Sequence, residues 1–182
     1  MSVLPVERPG PMYSPFHSDL DDPDHLTLNA DELRLAAQPA AASRAREFTR
    51  ARLDRWGLAE LTDACVLVVS EMTTNAITVT RATRAAEACP IVLRLRVTAE
   101  GLFAEVWDGC GGTPEPADPG EDDESGRGLR LVGMCTDEWG HYPAPGGGKV
   151  VFGRWSLPVT WRCPVLAPRW PQVPSHARTT RA

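Results

Sequence analysis

Two polar residues lie beside the apolar face of the most clearly patterned helix that the sequence predicts. Glu71 and Asn75 are four residues apart in the stretch LVVSEMTTNAI, so on a helix they occupy neighbouring positions. An Asn side chain can offer its carbonyl oxygen to Mg²⁺, and a neighbouring Glu can orient or deprotonate a hydroxyl group or a water. Against a core stripe, both groups need a ligand or internal hydrogen bonds to offset desolvation. The alternative is that both lie at the solvent edge of an amphipathic helix.

A second candidate is Asp108, the residue at which a predicted strand runs into the sequence DGCGG. The glycines of this segment, Gly112 among them, let a planar ligand approach the backbone closely. A carboxylate at this position can accept a hydrogen bond from the exocyclic amine of adenine, where guanine presents a carbonyl. The alternative is an ordinary turn in which Asp108 caps its own loop.

The third candidate is the segment ESGRGL, which ends immediately inside a predicted helix. Backbone N–H groups at a helix start can bind phosphate oxygens, and the local dipole favours the negative charge. Arg127, between Gly126 and Gly128, can add a bidentate contact, and Leu129 follows in the helix. The segment is neither a P-loop nor a dinucleotide fingerprint. The alternative is a loop-to-helix junction that binds nothing.

The elements that must position these candidates follow from hydrophobic periodicity. Apolar residues recur every three or four positions from Ala59 to about Thr80 and mark one face of a helix. The period changes to two in residues 91–98, which predicts a strand with one buried and one solvent-facing side. Residues 102–107, before Asp108, should pair with it as an antiparallel hairpin.

The remaining elements complete the order strand, helix, helix, two strands, long loop, helix, two strands. This order predicts an α+β fold, a two-layer sandwich with helices on one face of a mostly antiparallel sheet. Lys149 follows three glycines between the last two strands. A solvated lysine at a hairpin tip is the favoured interpretation, and approach of its ammonium group to a phosphate is the alternative. The other predicted elements are a strand at 33–35, a helix from Pro39 to Trp56, a helix at 129–136, and strands at 139–142 and 150–155.

Proline-rich ends without periodicity flank this pattern and divide the chain into three parts. Residues 1–30 are expected to be a flexible leader, 31–157 the ordered domain and 158–182 a tail rich in proline and arginine. Trp161 and Trp170 are the only large aromatic residues of the tail, and packing back on the domain is the favoured interpretation for them.

The composition is that of a globular protein with one core: 182 residues, of which 42% are hydrophobic and 24% charged. No apolar stretch approaches the roughly 20 residues that span a bilayer, and the early residues are acidic rather than signal-like, so we expect a cytoplasmic protein without a membrane partner. The five cysteines are scattered, without the spacing of a zinc site. The net charge of −5 comes from an acidic run at 115–124, and no basic face is left for nucleic acid.

Taken together and in this order, the three motifs resemble the Bergerat ATP-binding fold of GHKL proteins. The resemblance extends from about Leu33 to Trp155. Over this range the phrases LDRWGLAELTDACVLVVSEMTTNA, ESGRGLRLV and DEWGHYPAPGGGKVVF are similar to the anti-sigma-factor serine/threonine kinases, which have a histidine-kinase-like ATPase domain.

The resemblance implies ATP and Mg²⁺ as cofactors and a role for each candidate residue. Asn75 would hold Mg²⁺ against the phosphates, Glu71 would be the catalytic base, and Asp108 would recognise adenine beside the glycine segment that contains Gly112. The phosphate-covering lid would be lined by Gly126, Arg127, Gly128 and Leu129.

The resemblance also implies protein partners. Such kinases sequester a sigma factor and phosphorylate a serine of an anti-anti-sigma antagonist, while formation of a homodimer stays open. The alternative is a regulatory module that binds a protein partner without transferring phosphate, with a degenerate ATP site. Cys110, which occupies the middle glycine position of the usual D-x-G-x-G, favours this alternative. A stand-alone ATPase is a third hypothesis. It is weaker, because nothing in the sequence suggests a mechanical domain that ATP hydrolysis would drive.

Overall fold

A computed structural model describes Phe16 and residues 27–82, 90–109 and 127–162, and these ranges form one sheet with helices against it. The predicted order of elements is confirmed. The strands are β1 (Thr27–Leu35), β2 (Ile91–Thr98), β3 (Gly101–Asp108), β4 (Glu138–Pro143) and β5 (Lys149–Trp155); the helices are α1 (Ala40–Arg55), α2 (Thr62–Ala82) and α3 (Arg127–Cys135), with a 3₁₀ turn at Ala59–Leu61 before α2.

The five strands lie in the order β1-β2-β3-β5-β4, and every neighbouring pair is antiparallel. The predicted hairpin of β2 and β3 is confirmed, with Leu95 opposite Ala104. The helices cover one face of this sheet, so the predicted α+β two-layer architecture is confirmed as well. No helix among the described residues is long and apolar enough to cross a membrane.

The core lies between the sheet and the central helix α2. The helix contributes a buried apolar stripe because its small and branched side chains repeat at helical spacing; the strands contribute every second residue. Residues of this core include Val68, Met72, Leu93, Leu95, Val106 and Val151.

The first strand begins at Thr27, six residues before the predicted start at residue 33. This first part of the strand contains the polar residues Asn29, Asp31 and Glu32, so it lacks the alternation of apolar residues that predicts a strand. It is nevertheless a strand, because β1 pairs with β2 along most of its length. Asp31 also binds α1, because its carboxylate lies 2.7 Å from Arg52 Nε.

The second side of β2 is not solvent-facing, contrary to the expectation from its alternation. Val92 and Thr98 are fully buried, and Arg94 is 7% exposed. Its charge is balanced by the buried Glu105 on β3, which accepts hydrogen bonds from Arg94 Nε at 2.7 Å and from Arg96 Nε at 3.0 Å.

Two further groups close this second side of the sheet. Tyr142 of β4 donates a hydrogen bond of 2.9 Å to Glu105, and burial together with that carboxylate raises the pKa of the Tyr142 phenol. Phe16 is 4% exposed, and its ring lies 4.1 Å from the guanidinium carbon of Arg94. Alternation of arginine with apolar residues therefore indicates a strand here but does not indicate a solvent-facing side. The aliphatic part of an arginine side chain packs against the sheet, and its guanidinium group pairs with a carboxylate on the neighbouring strand.

Helix α3 packs between α2 and β4. A methyl group on Gly133 would lie 2.9 Å from Trp139 Nε1, so the helix approaches β4 closely at this glycine. Beyond β5 the chain turns back, and Trp161 donates a hydrogen bond of 2.8 Å to the carbonyl oxygen of Trp56. Packing of the tail tryptophan against the domain is thus confirmed for Trp161, while Trp170 lies outside the described residues.

Candidate nucleotide site

Glu71, Asn75 and Gly128 meet where α2 and α3 pack together. A methyl group placed on Gly128 would lie 2.8 Å from Glu71 Oε2, 3.5 Å from Asn75 Nδ2 and 3.6 Å from Asn75 Oδ1. The start of α3 therefore rests directly on the polar pair of α2. Two of the three sequence motifs converge on one place, although 52 intervening residues separate Asn75 from Gly128.

Local sequence explains why the polar pair is available at this contact. Met72 and Ala76 occupy the buried stripe of α2, and Glu71 and Asn75 each precede one of them, so both are half-buried at the edge of the stripe. Gly128 is buried and has no side chain, which allows the α3 backbone to approach both polar groups. A larger residue at 128 would occupy the space between them.

Asp108 is the last residue of β3, and the residue is 2% exposed. Leu102, Ala104 and Val106 belong to the core under the helices, and alternation places Asp108 next in that row. It therefore lies on the face of the sheet that α2 covers, at the end of the strand.

Lys149 binds Asp108, which corrects the expectation of a solvated lysine. The two residues are directly opposite each other in the β3–β5 pairing, Lys149 Nζ lies 2.9 Å from Asp108 Oδ1, and Lys149 is 8% exposed. The prediction was wrong because the glycines end before Lys149, which is the first residue of β5 and not the tip of the turn.

The turn between β4 and β5 is fastened to the end of β3. Gly148 has φ of +79°, and a methyl group there would clash with the carbonyl oxygen of Asp108, so glycine is required on both counts. The indole of Trp107 donates a hydrogen bond of 2.9 Å to the carbonyl oxygen of Gly147. These contacts fix where the Lys149 ammonium group is held.

The structure describes only some of the other residues predicted to bind the nucleotide. Gly112 and Gly126 lie outside the described residues. Arg127 is the first residue of α3, although its side chain is not among those described, and Leu129 is half-buried in the first turn of that helix. The helix predicted at 129–136 is confirmed, and it begins two residues earlier, at Arg127, so that Gly128 belongs to it.

The side chains at this place fit a magnesium nucleotide. Asn75 supplies a neutral oxygen, and Glu71 supplies a carboxylate beside it. The space over Gly128 between these groups is small enough that a single methyl group would fill it. Mg²⁺ keeps several waters and takes phosphate oxygens readily, so one protein oxygen is a sufficient anchor. Within the described ranges, no cluster of three or more His, Cys, Asp or Glu could hold a metal ion.

Lys149 is the site residue that sequence reasoning missed. The signal that could have found it is the register of the hairpins, because a strand starting at Lys149 and antiparallel to β3 places it opposite Asp108. That register depends on the length of the turn before β5, which glycine content alone does not give.

Comparison with known protein families gives a match over most of the chain. The family model of the histidine kinase-like ATPase domain matches residues 35–155, a range that contains all three motifs and all the elements from α1 to β5. No curated protein matches the chain.

Proposed function

Because the chain belongs to the histidine kinase-like ATPase domain family, we propose that it binds Mg²⁺-ATP between α2, α3 and the end of β3. We further propose that it is a protein serine/threonine kinase that acts as an anti-sigma factor and phosphorylates an anti-anti-sigma antagonist. The observation that carries the proposal is the packing of Gly128 beside Glu71 and Asn75, where a single added methyl group would meet both side chains.

Each side chain has a defined task in the proposed reaction. Asn75 anchors Mg²⁺, which when bound neutralises phosphate charge. Glu71 accepts the proton of the partner's hydroxyl group. That hydroxyl oxygen forms a bond to the γ-phosphorus, the bond from this phosphorus to the β–γ bridging oxygen breaks, and ADP leaves.

Asp108 and the start of α3 position the nucleotide at its two ends. The Asp108 carboxylate accepts a hydrogen bond from the adenine amine, and the N–H groups of the first turn of α3 face the phosphates. Phosphoryl transfer depends mainly on positioning and charge neutralisation, so these contacts account for much of the proposed catalysis.

Calorimetry with Mg²⁺-ATP tests the binding half of the proposal. The Asn75→Ala variant should lose measurable binding while keeping its circular dichroism spectrum. Thr74→Ala is the matched control, because Thr74 is the exposed neighbour on the same helix and its variant should bind as the parent does. Equal affinity of a folded Asn75→Ala variant would refute the site.

Phosphotransfer tests the catalytic half. The partner is recovered by co-purification from the native cells and incubated with the kinase and γ-labelled ATP. The parent should label the partner, whereas Glu71→Gln should bind Mg²⁺-ATP but transfer no label. Undiminished labelling by the Glu71→Gln variant would rule out Glu71 as the base.

A second candidate function is a partner-binding module that transfers no phosphate. The observation that favours it is Cys110, which occupies the middle glycine position of the D-x-G-x-G motif. The same experiment separates the two functions: a stable complex in which the parent protein never labels the partner favours the module.

A further inference from the structure

Lys149 is a buried charged residue that the proposed reaction does not use. It is the only lysine among 19 basic residues, and its ammonium group lies 2.9 Å from Asp108 Oδ1. Ion pairs this buried contribute little net stability, because desolvation of both charges offsets their attraction. A role in stability alone is therefore a weak explanation for it.

The position of Lys149 is set by the fold. Asp108 and Lys149 form the last pair of the β3–β5 ladder, and alternation places both side chains on the helix-covered side. Gly148 and the indole of Trp107 hold the preceding turn against β3. The carboxylate and the ammonium group therefore form a fixed acceptor and donor side by side.

We propose that Asp108 and Lys149 together read the edge of the adenine base, Asp108 accepting from the exocyclic amine and Lys149 donating to ring nitrogen N1. This inference rests on the proposed function. A carboxylate has two acceptor oxygens with two lone pairs each, and an ammonium group has three donor hydrogens, so the contact between the two groups does not exhaust the capacity of either. Lys149 is thus a specificity-determining residue.

The order of donor and acceptor selects the base. Adenine presents a donor, the amine, next to an acceptor, N1; guanine presents an acceptor, the carbonyl, next to a donor, the N1 hydrogen. Guanine in the same orientation would place its carbonyl against the Asp108 carboxylate and its N1 hydrogen against the Lys149 ammonium group. Both contacts would be repulsive, and a buried polar mismatch is strongly rejected.

The test compares ATP with 1-deaza-ATP, in which a C–H group replaces N1 and the amine is kept. Calorimetry on the parent protein should show about 10- to 100-fold weaker binding of 1-deaza-ATP, the range expected for loss of one charged hydrogen bond. This comparison needs no variant, so it does not depend on how a substitution folds. Equal affinities for the two nucleotides would overturn the inference.

The Lys149→Met variant adds a second measurement. It should bind ATP more weakly and should bind ATP and 1-deaza-ATP equally, whereas a purely structural lysine would leave their ratio at the parent value. Arg154→Met is the matched control. Arg154 lies on β5, as Lys149 does, but on the other side of the sheet, where it forms an ion pair with Glu138 of β4. Its ratio should equal that of the parent.

The outcomes distinguish this inference from the proposed function. ATP binding without discrimination against 1-deaza-ATP overturns only the role of Lys149. Absence of any ATP binding to the parent overturns the nucleotide site itself, and the inference with it.

Discussion

Alanine at position 128 would place a methyl group where Glu71 and Asn75 meet the backbone of α3. That methyl carbon would lie 2.8 Å from Glu71 Oε2, whereas ordinary contacts begin at 3.4 Å, so the carboxylate must withdraw by about 0.6 Å. The clash is with the end of a flexible side chain, and an off-rotamer adjustment costs about 0.5–1.5 kcal/mol. Alanine is better than glycine in a helix by about 1 kcal/mol, so the two effects nearly cancel.

The Gly128→Ala variant should therefore unfold within about 1 kcal/mol of the parent in urea. Its phosphotransfer should fall by about 10- to 100-fold, because a misplacement on the scale of 1 Å is enough to lower catalysis by that factor. Gly146→Ala is the control, since a methyl group on Gly146 has no atom within 4 Å; its rate and stability should match those of the parent.

A double-mutant cycle with Glu71→Gln tests the reasoning behind this prediction. If the methyl group acts by displacing the Glu71 carboxylate, Gly128→Ala should lower the residual rate little further in the Glu71→Gln background. Independent, additive losses would refute that coupling. A Gly128→Ala variant that loses more than about 2 kcal/mol of stability would refute the assignment of the contact to a yielding side chain.

Three further predictions concern stability, pH and reactivity. Glu105→Ala leaves the buried Arg94 and the partly buried Arg96 without their carboxylate and should lower the free energy of unfolding in urea by about 3–5 kcal/mol. Tyr142→Phe should lower it by only about 1 kcal/mol, and similar effects of the two substitutions would contradict the network. The hydrogen bond from the Ser156 backbone N–H lowers the pKa of Asp137 from 3.8, so the ionised carboxylate stabilises the fold above that pH. The difference in Tm between the parent and the Asp137→Asn variant should therefore decrease as the pH falls through the lowered pKa. A difference in Tm that does not change with pH would contradict this role of Asp137. Burial raises the pKa of the Cys65 thiol, so iodoacetamide should modify it, by mass spectrometry, only in denaturant; rapid native labelling would exclude that burial.

Local patterns were sufficient to predict the elements of this fold. The helical spacing of the α2 stripe and the change to a period of two at Ile91 each reflect burial on one face, which is a local property of the chain. The polar first part of β1, residues 27–32, and the buried second side of β2 were not predictable in this way. Arg94 and Glu105 are 11 residues apart, and only pairing of β2 with β3 places them together.

Most residues of the candidate site were identified from the sequence, but Lys149 and the arrangement of the site were not. Glu71 and Asn75 are neighbours on one helix, so their spacing was enough to pair them. Their contact with Gly128 and the pairing of Asp108 with Lys149 are tertiary, and each depends on how separate elements pack. A buried lysine next to a strand-ending aspartate could be found only once the strand register was known.

The most direct test of the proposed nucleotide site is a crystal structure of the protein with Mg²⁺ and a non-hydrolysable ATP analogue. We predict the metal within coordinating distance of Asn75 Oδ1, the γ-phosphate beside Glu71 and the first turn of α3, and the adenine amine on Asp108. A nucleotide bound elsewhere, with these three residues making no contact to it, would contradict the account.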